Sequence, residues 1–344
     1  MVDEHSSQVV RWQQIHGRHH LPWQHALDPY PVWLSEIMLQ QTQVTTVLDY
    51  FPRFMRQFPD LAALAAAPLD QVLGLWSGLG YYSRARHLHQ CARQVMELHQ
   101  GIFPRTAAQL ETLAGIGRSS AGAIAALCFG ERVAILDGNV KRVLSRVLGF
   151  DRDLSAAANQ RLLWEQATRL LPVTDLKHSM PRYTQGMMDL GASICTVKRP
   201  ACERCPLALS CVARRLGQPE KYPVKTRKLK RSSEAIWLLW AQSENNMVWL
   251  SKRPSPGVWG GLYCFPVFTA RAALEASLPP RAAESLYDMP AFMHVLTHKD
   301  MRLHPVRVSV PAASMAGQEG RWMAAAEWPR VGLPAPIRSL LLQG

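Results

Sequence analysis

The chain has 344 residues, 48% of them hydrophobic, enough for two or three domains with cores of their own. A formal net charge of +13 fits a polyanionic partner, either a nucleic acid or an anionic membrane. No apolar run reaches the ~18 residues a membrane span needs, and MVDEHSSQVV lacks the apolar stretch of a secretion signal.

Residues 1–216 read as mostly helical. In YPVWLSEIMLQQTQV, the residues Val32, Trp33, Ile37 and Leu39 or Gln40 are spaced for one face, with Pro31 near the first turn. Glu36 stands among Trp33, Leu34, Ile37 and Met38. A glutamate in such company is expected to be paired or to function. Burial would raise its pKa and let it hold a proton near neutral pH. A further helix, SRARHLHQCARQVMELHQG, stops at Gly101.

GIGRSS, residues 115–120, then forms a tight corner between two short helices, spanning about 108–127. Gly115 and Gly117 permit positive φ or close approach. The first amides of the second helix are unpaired and partly positive, so they can hold a phosphate. Arg118 adds charge there, and Ser119 and Ser120 keep the helix start small and polar.

Asp137 follows in VAILDGNVKRV and can cap the helix starting near Val140. A carboxylate beside a phosphate-gripping corner would also stabilise an oxocarbenium-like sugar. Lys141 and Arg142 add candidate backbone contacts. With Glu36 as an acid, the pair has the make-up that glycosidic cleavage requires. GNVKRVLSRVLGF and AAANQRLLWEQATRLLP are two more helical segments.

Of seven cysteines, Cys195, Cys202, Cys205 and Cys211 crowd together with gaps of six, two and five residues. That points to metal in a reducing compartment rather than a disulfide framework. Four thiolates suit zinc or a [4Fe–4S] cluster, and spacing alone does not choose between them. Arg199, Arg204, Arg214 and Arg215 surround the group, while Cys91, Cys128 and Cys264 read as core residues.

Residues 217–231, with six basic residues, one acid and two prolines, read as an exposed basic linker. Residues 232–344 read as a mixed α/β domain. Its strands are AIWLLWA, NMVWLSKR, GLYCFPVF and MRLHPVRVSV, and its helices ARAALEASL and APIRSLLL.

LAGIGRSSAGAIAALCFG, AILDGNVKRVLSR and the C-x6-C-x2-C-x5-C loop resemble the helix-hairpin-helix, endonuclease III-like DNA glycosylases that carry an iron–sulfur cluster. PYPVWLSEIMLQQTQV and LWSGLGYYSRARHLH resemble the adenine DNA glycosylase (MutY) branch. The resemblance implies a multidomain protein: an all-α glycosylase region with an iron–sulfur loop at 195–211, then an α/β Nudix-like domain. It implies a [4Fe–4S] cluster on the four cysteines. It also implies excision of adenine opposite 8-oxoguanine or guanine in double-stranded DNA. Glu36 matches the acid that protonates N7, Asp137 the carboxylate facing the sugar cation, and Asn139 a polar neighbour of that carboxylate. Gln41 and Tyr81 match residues that probe the duplex. Ser119 stands where endonuclease III has a catalytic lysine, so hydrolysis without strong strand cleavage is expected. Lys141 matches a residue that reacts slowly with abasic product.

GVWGGLYCFP resembles the start of the family's Nudix-like domain. Only scattered Glu275 and Glu284 replace a magnesium-binding glutamate helix, so no nucleotide hydrolysis is expected. The family's Phe-Ser-His stretch is Leu296-Thr297-His298 here, keeping a hydroxyl and a histidine for 8-oxoguanine and losing the aromatic. The plain alternative is a strand with histidines at its edge. A soluble monomer of the cytoplasm, on the nucleoid if bacterial, is expected. The rival readings are a non-catalytic helix-hairpin-helix module and a glycosylase for another damaged or mismatched base.

Overall fold

The computed structural model describes residues 2–24, 28–226 and 230–343, the side chains of Val2 and Asp3 excepted. Two compact units emerge: 1–65 with 90–228, and 66–89 with 229–344.

The chain opens with α1 (Val2–His16), α2 (Pro29–Leu39), α3 (Val44–Gln57) and α4 (Leu61–Ala66). Next come α5 (Leu69–Trp76) and α6 (Ser83–His99). The helical unit continues with α7 (Ala107–Leu110), α8 (Arg118–Phe129) and α9 (Gly138–Leu148). It ends with α10 (Ala157–Arg169), α11 (Leu176–Ser193) and α12 (Val212–Arg215). α2 packs on α8, both α8 and α9 pack on α11, and α1 runs along α11.

α2 starts where Asp28 accepts from the Tyr30 amide at 2.9 Å, with proline in the first turn. The expected single apolar face understates its burial. Every residue of Pro31–Met38 is buried except Glu36, which keeps partial access. Such a helix is stabilised by packing on all sides, so its one carboxylate is held in place by its neighbours. Small residues set the closest helix approaches. A Cβ on Gly122 of α8 would lie 2.6 Å from the Ala134 carbonyl oxygen, and one on Gly191 of α11 would lie 2.5 Å from the Asn139 Cβ.

The stretch read as an exposed linker is mostly exposed among its described residues, with Tyr222–Val224 half-buried and the segment tied down at three points. The Leu154 amide donates to the Val224 carbonyl at 3.0 Å, the buried Arg146 donates to the Tyr222 carbonyl at 3.3 Å, and the Thr226 hydroxyl bonds Asp153. Backbone carbonyls make most of these contacts, and composition does not encode them. Residues 227–229 of that stretch lie outside the described residues.

In the other unit, β1 (Ser232–Gln242) and β2 (Val248–Lys252) precede two two-residue strands, β3 (Tyr263–Cys264) and β4 (Val267–Phe268). α13 (Arg271–Ala276), α14 (Pro280–Ala283), β5 (Tyr287–Asp288), β6 (Phe292–Val295) and β7 (Lys299–Ser309) follow. β8 (Arg321–Met323) and α15 (Ala335–Gln343) close the chain. β1 and β7 run parallel, from Ser232 opposite Lys299 to Gln242 opposite Ser309. Pro305 is tolerated inside β7 because its carbonyl, and so its missing N–H, faces Met289, in the gap between β5 and β6. Leu238, Trp240, Leu250 and Leu303 serve one core, and Leu239, Trp249 and Val306 serve another, as strand alternation requires.

Residues 66–89, read from sequence as part of the helical region, are compact with this sheet. A Cβ on Gly74 would lie 2.4 Å from the Arg330 carbonyl oxygen, so α5 meets that backbone closely. The hydroxyls of Ser77 and Tyr82 both donate to the Leu333 carbonyl, at 3.0 and 2.6 Å. Arg86 donates to the Gly260 carbonyl at 2.7 Å.

Candidate active site and cysteine loop

Two openings in the helical unit share Glu36 as a wall. One, of about 470 Å³, is lined by Trp23, Gln24, Val32, Leu127 and Gln185 as well as Glu36. The other, of about 520 Å³, is lined by Glu36, Asp137, Asn139, Arg18 and the corner residues Gly115 and Gly117–Ser120. Two segments distant in sequence therefore bring both candidate acids to one cleft.

Burial, and then the negative charge of Asp137, push the Glu36 carboxyl up to about 7. Asp137 is also raised, by burial, but the Val140 and Asn139 amides and the charges of Arg142 and Lys141 pull it back. Burial and the neighbouring Asp137 carboxyl thus both favour the protonated form of Glu36. Asp137 is the N-cap of α9, accepting from the Val140 amide at 2.8 Å. The capping expectation holds, and the cap fixes the carboxylate on the cleft.

The corner ties these acids together. Gly115 has φ +75°, which glycine alone adopts freely. Gly117 caps α8 at φ −86°, and a Cβ there would meet nothing within 4 Å. The Ser119 hydroxyl accepts from the Leu136 amide at 3.0 Å, next to Asp137. Gln40, at the end of α2, donates to the Ser120 hydroxyl at 3.3 Å. The two serines therefore fasten the Asp137 segment and the Glu36 helix to one helix start. Arg118 stacks on Trp164, its guanidinium carbon 4.0 Å from the ring centroid.

Asn139 accepts from Arg142 at 2.9 Å, and Arg142 also donates to the Gly191 and Cys195 carbonyls at 2.7 and 2.8 Å. Burial lowers the Lys141 pKa, and Lys225 lowers it further. Gln41 and Tyr81 both carry positive φ, +57° and +47°, an uncommon cost for side-chain-bearing residues. Gln41 is exposed just beyond α2 and lines neither opening.

In the sheet unit, Tyr81 and Trp259 wall a cavity of about 390 Å³ with Leu296, Thr297 and His298. The Tyr81 and Thr297 hydroxyls hydrogen-bond each other. Leu296 donates its amide to the Lys299 carbonyl at 2.8 Å, so Thr297 and His298 form the exposed tip of the β6–β7 hairpin. The plain reading holds for His294, on β6, which among the described residues pairs only with β7, but not for Thr297 and His298 at the tip.

Cys195, Cys202, Cys205 and Cys211 line one cavity with Arg146 and Arg214. Arg146, 2% exposed, donates to the Cys195 sulfur at 3.3 Å and to the Thr196 and Val197 carbonyls at 2.6 and 3.0 Å. Burial and the other three cysteines push the Cys205 thiol up to about 12. Among the described residues no three His, Cys, Asp or Glu side chains converge as ligands of a single metal ion. Four thiols ringing a cavity beside a buried guanidinium fit an anionic polynuclear group. Cys91 and Cys264 are buried as expected, whereas Cys128 is only half-buried.

The model for HhH-GPD superfamily base excision DNA repair proteins matches residues 34–168, and that for the NUDIX domain matches residues 236–343. The adenine DNA glycosylase of Buchnera aphidicola subsp. Acyrthosiphon pisum is 36% identical over 341 residues, 98% of this chain and 96% of that protein. The chain belongs to the adenine DNA glycosylase family. The human adenine DNA glycosylase is 42% identical over 210 residues, 58% of this chain and 38% of its own length. A thermostable thymine-DNA glycosylase matches at a TM-score of 0.53 and 26% identity, over 61% of this chain and 95% of its own. An all-helical glycosylase region followed by a NUDIX domain is therefore the architecture of this family member. Among the described residues no helix is long and apolar enough to cross a membrane.

Sequence reading missed the first opening. Gln185 and Asp189 lie one turn apart on α11, and Asp189 stands beside Met187, Met188 and Leu190, a weaker form of the signal that singled out Glu36.

Proposed function

We propose that this protein hydrolyses the N-glycosidic bond of adenine mispaired with 8-oxoguanine or guanine in double-stranded DNA, acting as a monomer. One observation carries the reading: Glu36, its pKa raised to about 7, lines both a cavity of about 470 Å³ and the cleft holding Asp137 and the corner. Phosphates meet the free amides at the start of α8 and the side chain of Arg118. The mispaired adenine leaves the stack and enters the opening lined by Trp23 and Gln185, while its sugar lies in the cleft. Glu36 donates its proton to N7. The C1′–N9 bond breaks, its electron pair stays with the base, and Asp137 faces the sugar cation. Water then adds to C1′ and loses a proton, with Glu36 as acceptor, giving free adenine and an abasic site.

Cys195, Cys202, Cys205 and Cys211 would hold a [4Fe–4S] cluster, which when bound cross-links the loop rather than reacting. Thr297, His298 and Tyr81 would meet the base opposite adenine, Gln41 the duplex beside it, and Lys141 the abasic product.

The test is single-turnover release of free base over a panel of base pairs. Adenine released fastest opposite 8-oxoguanine, then guanine, without strand nicking, is expected. Release of a different base, or none, rejects the reading. About four irons and four labile sulfides per chain are expected by assay, and one zinc instead would reject the cluster. Sedimentation at twice the chain mass would reject the monomer.

A further inference from the structure

Asp189 is a buried carboxylate that the chemistry above does not use. It is 0% exposed in the side chain, and its partners are all identifiable. Oδ1 accepts from Arg18 Nε at 2.6 Å and from Gln185 Nε2 at 2.9 Å, and Oδ2 accepts from the Arg18 amide at 3.0 Å. Gln185 is 9% exposed and lines the opening that Glu36 walls, while Arg18 lines the cleft that holds Asp137.

An amide side chain can present either end to a ligand, because its oxygen and nitrogen differ little in shape. A carboxylate only accepts hydrogen bonds, and this one already accepts from the Arg18 guanidinium and the Arg18 amide. The Gln185 amino group must therefore face Asp189, which directs Oε1 away from it. We propose that Asp189 is a specificity-determining positioning residue: it locks the Gln185 amide so that a carbonyl oxygen faces the extruded base. That oxygen accepts from a 6-amino group and repels a 6-oxo group. The lock selects adenine over 6-oxopurines without touching the base. It rests on the reading that this opening takes the base.

The experiment uses the full-length protein and single-turnover excision of adenine, unsubstituted purine and hypoxanthine, each opposite the same partner base. In Asp189→Asn the new amide can donate or accept, so Gln185 is free to turn. Adenine excision is expected to fall about tenfold, the scale of one directed hydrogen bond. Purine, which has no 6-substituent, is expected to change by less than about twofold. Hypoxanthine gains relative to adenine. Gln185→Leu is expected to shift the adenine-to-purine ratio equally, and the double variant no further. An equal loss on all three substrates in Asp189→Asn overturns the lock and leaves a structural role. A Gln185→Leu variant with an unchanged ratio overturns the placement of the base, and the lock with it. A shifted ratio in Gln185→Leu with none in Asp189→Asn overturns the lock alone. If the Asn variant does not fold, hydrogen exchange in the wild-type protein decides. Gln185 side-chain amide protons, assigned by their loss in Gln185→Leu, are expected to exchange slowly, and exchange at the rate of a solvated amide overturns the proposal.

Discussion

The helical unit and the sheet unit build their openings from different material. Around Glu36 and Asp137 the two acids stand on a buried helix and at a helix cap, and α11 and the Ser119 hydroxyl hold the segments beside them. Around Thr297 the walls are a hairpin tip, a glycine-rich loop and Tyr81, a residue at φ +47° on a segment tied to the sheet by side-chain bonds to carbonyls. Chemistry that moves a proton needs groups fixed to a fraction of an ångström, and buried helices supply that. Reading a base through its edge needs exposed polar groups on an adjustable rim, which loops supply. The two units should therefore fail differently when mutated.

The largest effect is expected at the acids. Glu36→Gln and Asp137→Asn should each lower single-turnover excision by at least ~10³-fold, the proton and the charge being separate contributions. Duplex affinity should stay within a few-fold, since neither acid grips phosphate. Excision near the wild-type rate in either variant would remove that residue from the chemistry.

Next in size is the response to pH. In the proposed mechanism Glu36 acts protonated, and its carboxyl is raised to about 7, so excision should decline about tenfold per pH unit above that point. Stability follows the same proton. The folded state binds it more tightly than the unfolded chain does, so stability is lost as pH rises from the ordinary glutamate range through about 7. Glu36→Gln removes that loss. The variant should melt higher than wild type at pH 8, by the equivalent of ~1–2 kcal/mol after allowance for partial access, and equally at pH 4. Equal melting at both pH values would show that Glu36 is not strained by burial.

These expectations also mark what sequence can reveal. Glu36 stood out because an acid in an apolar helix is chemically conspicuous, and Asp137 because Asp-Gly-Asn is a cap signal. The first opening stayed hidden: Gln185 and Asp189 matter only through Arg18 and Trp23, which lie far away in the chain. Ser119 and Ser120 were legible as small and polar but not as anchors, since their partners are the Leu136 amide and Gln40. LDQVLGLW shows an apolar face without showing what covers it, so the place of residues 66–89 beside the sheet could not be read. Hydrophobic periodicity reports that a face is buried and is silent about its partner.

The corner offers a smaller effect that separates folding from binding. Gly115→Ala forces a side chain to φ +75° and should cost about 1–2 kcal/mol of stability. Gly117→Ala meets no atom within 4 Å at φ −86°, so its melting point should stay within about 2 °C of wild type. If a phosphate approaches α8 at that point, the added methyl should weaken duplex binding several-fold and flatten its salt dependence. Unchanged affinity in Gly117→Ala would place the backbone contact elsewhere.

The smallest effect belongs to the rim. Thr297 is exposed, and its hydroxyl bonds Tyr81, so removing it leaves the sheet intact. Thr297→Ala should reduce the preference for 8-oxoguanine over guanine opposite adenine by about three- to tenfold, the size of one hydrogen bond. Thr297→Ser keeps the hydroxyl and should stay near wild type, whereas Thr297→Val keeps the shape and should behave like alanine. That ordering distinguishes a hydrogen bond from packing. Excision rates measured on the two mispairs with all three variants decide it. If valine matches threonine, the hairpin tip acts by shape, and the contrast between a fixed catalytic wall and a polar reading rim does not hold.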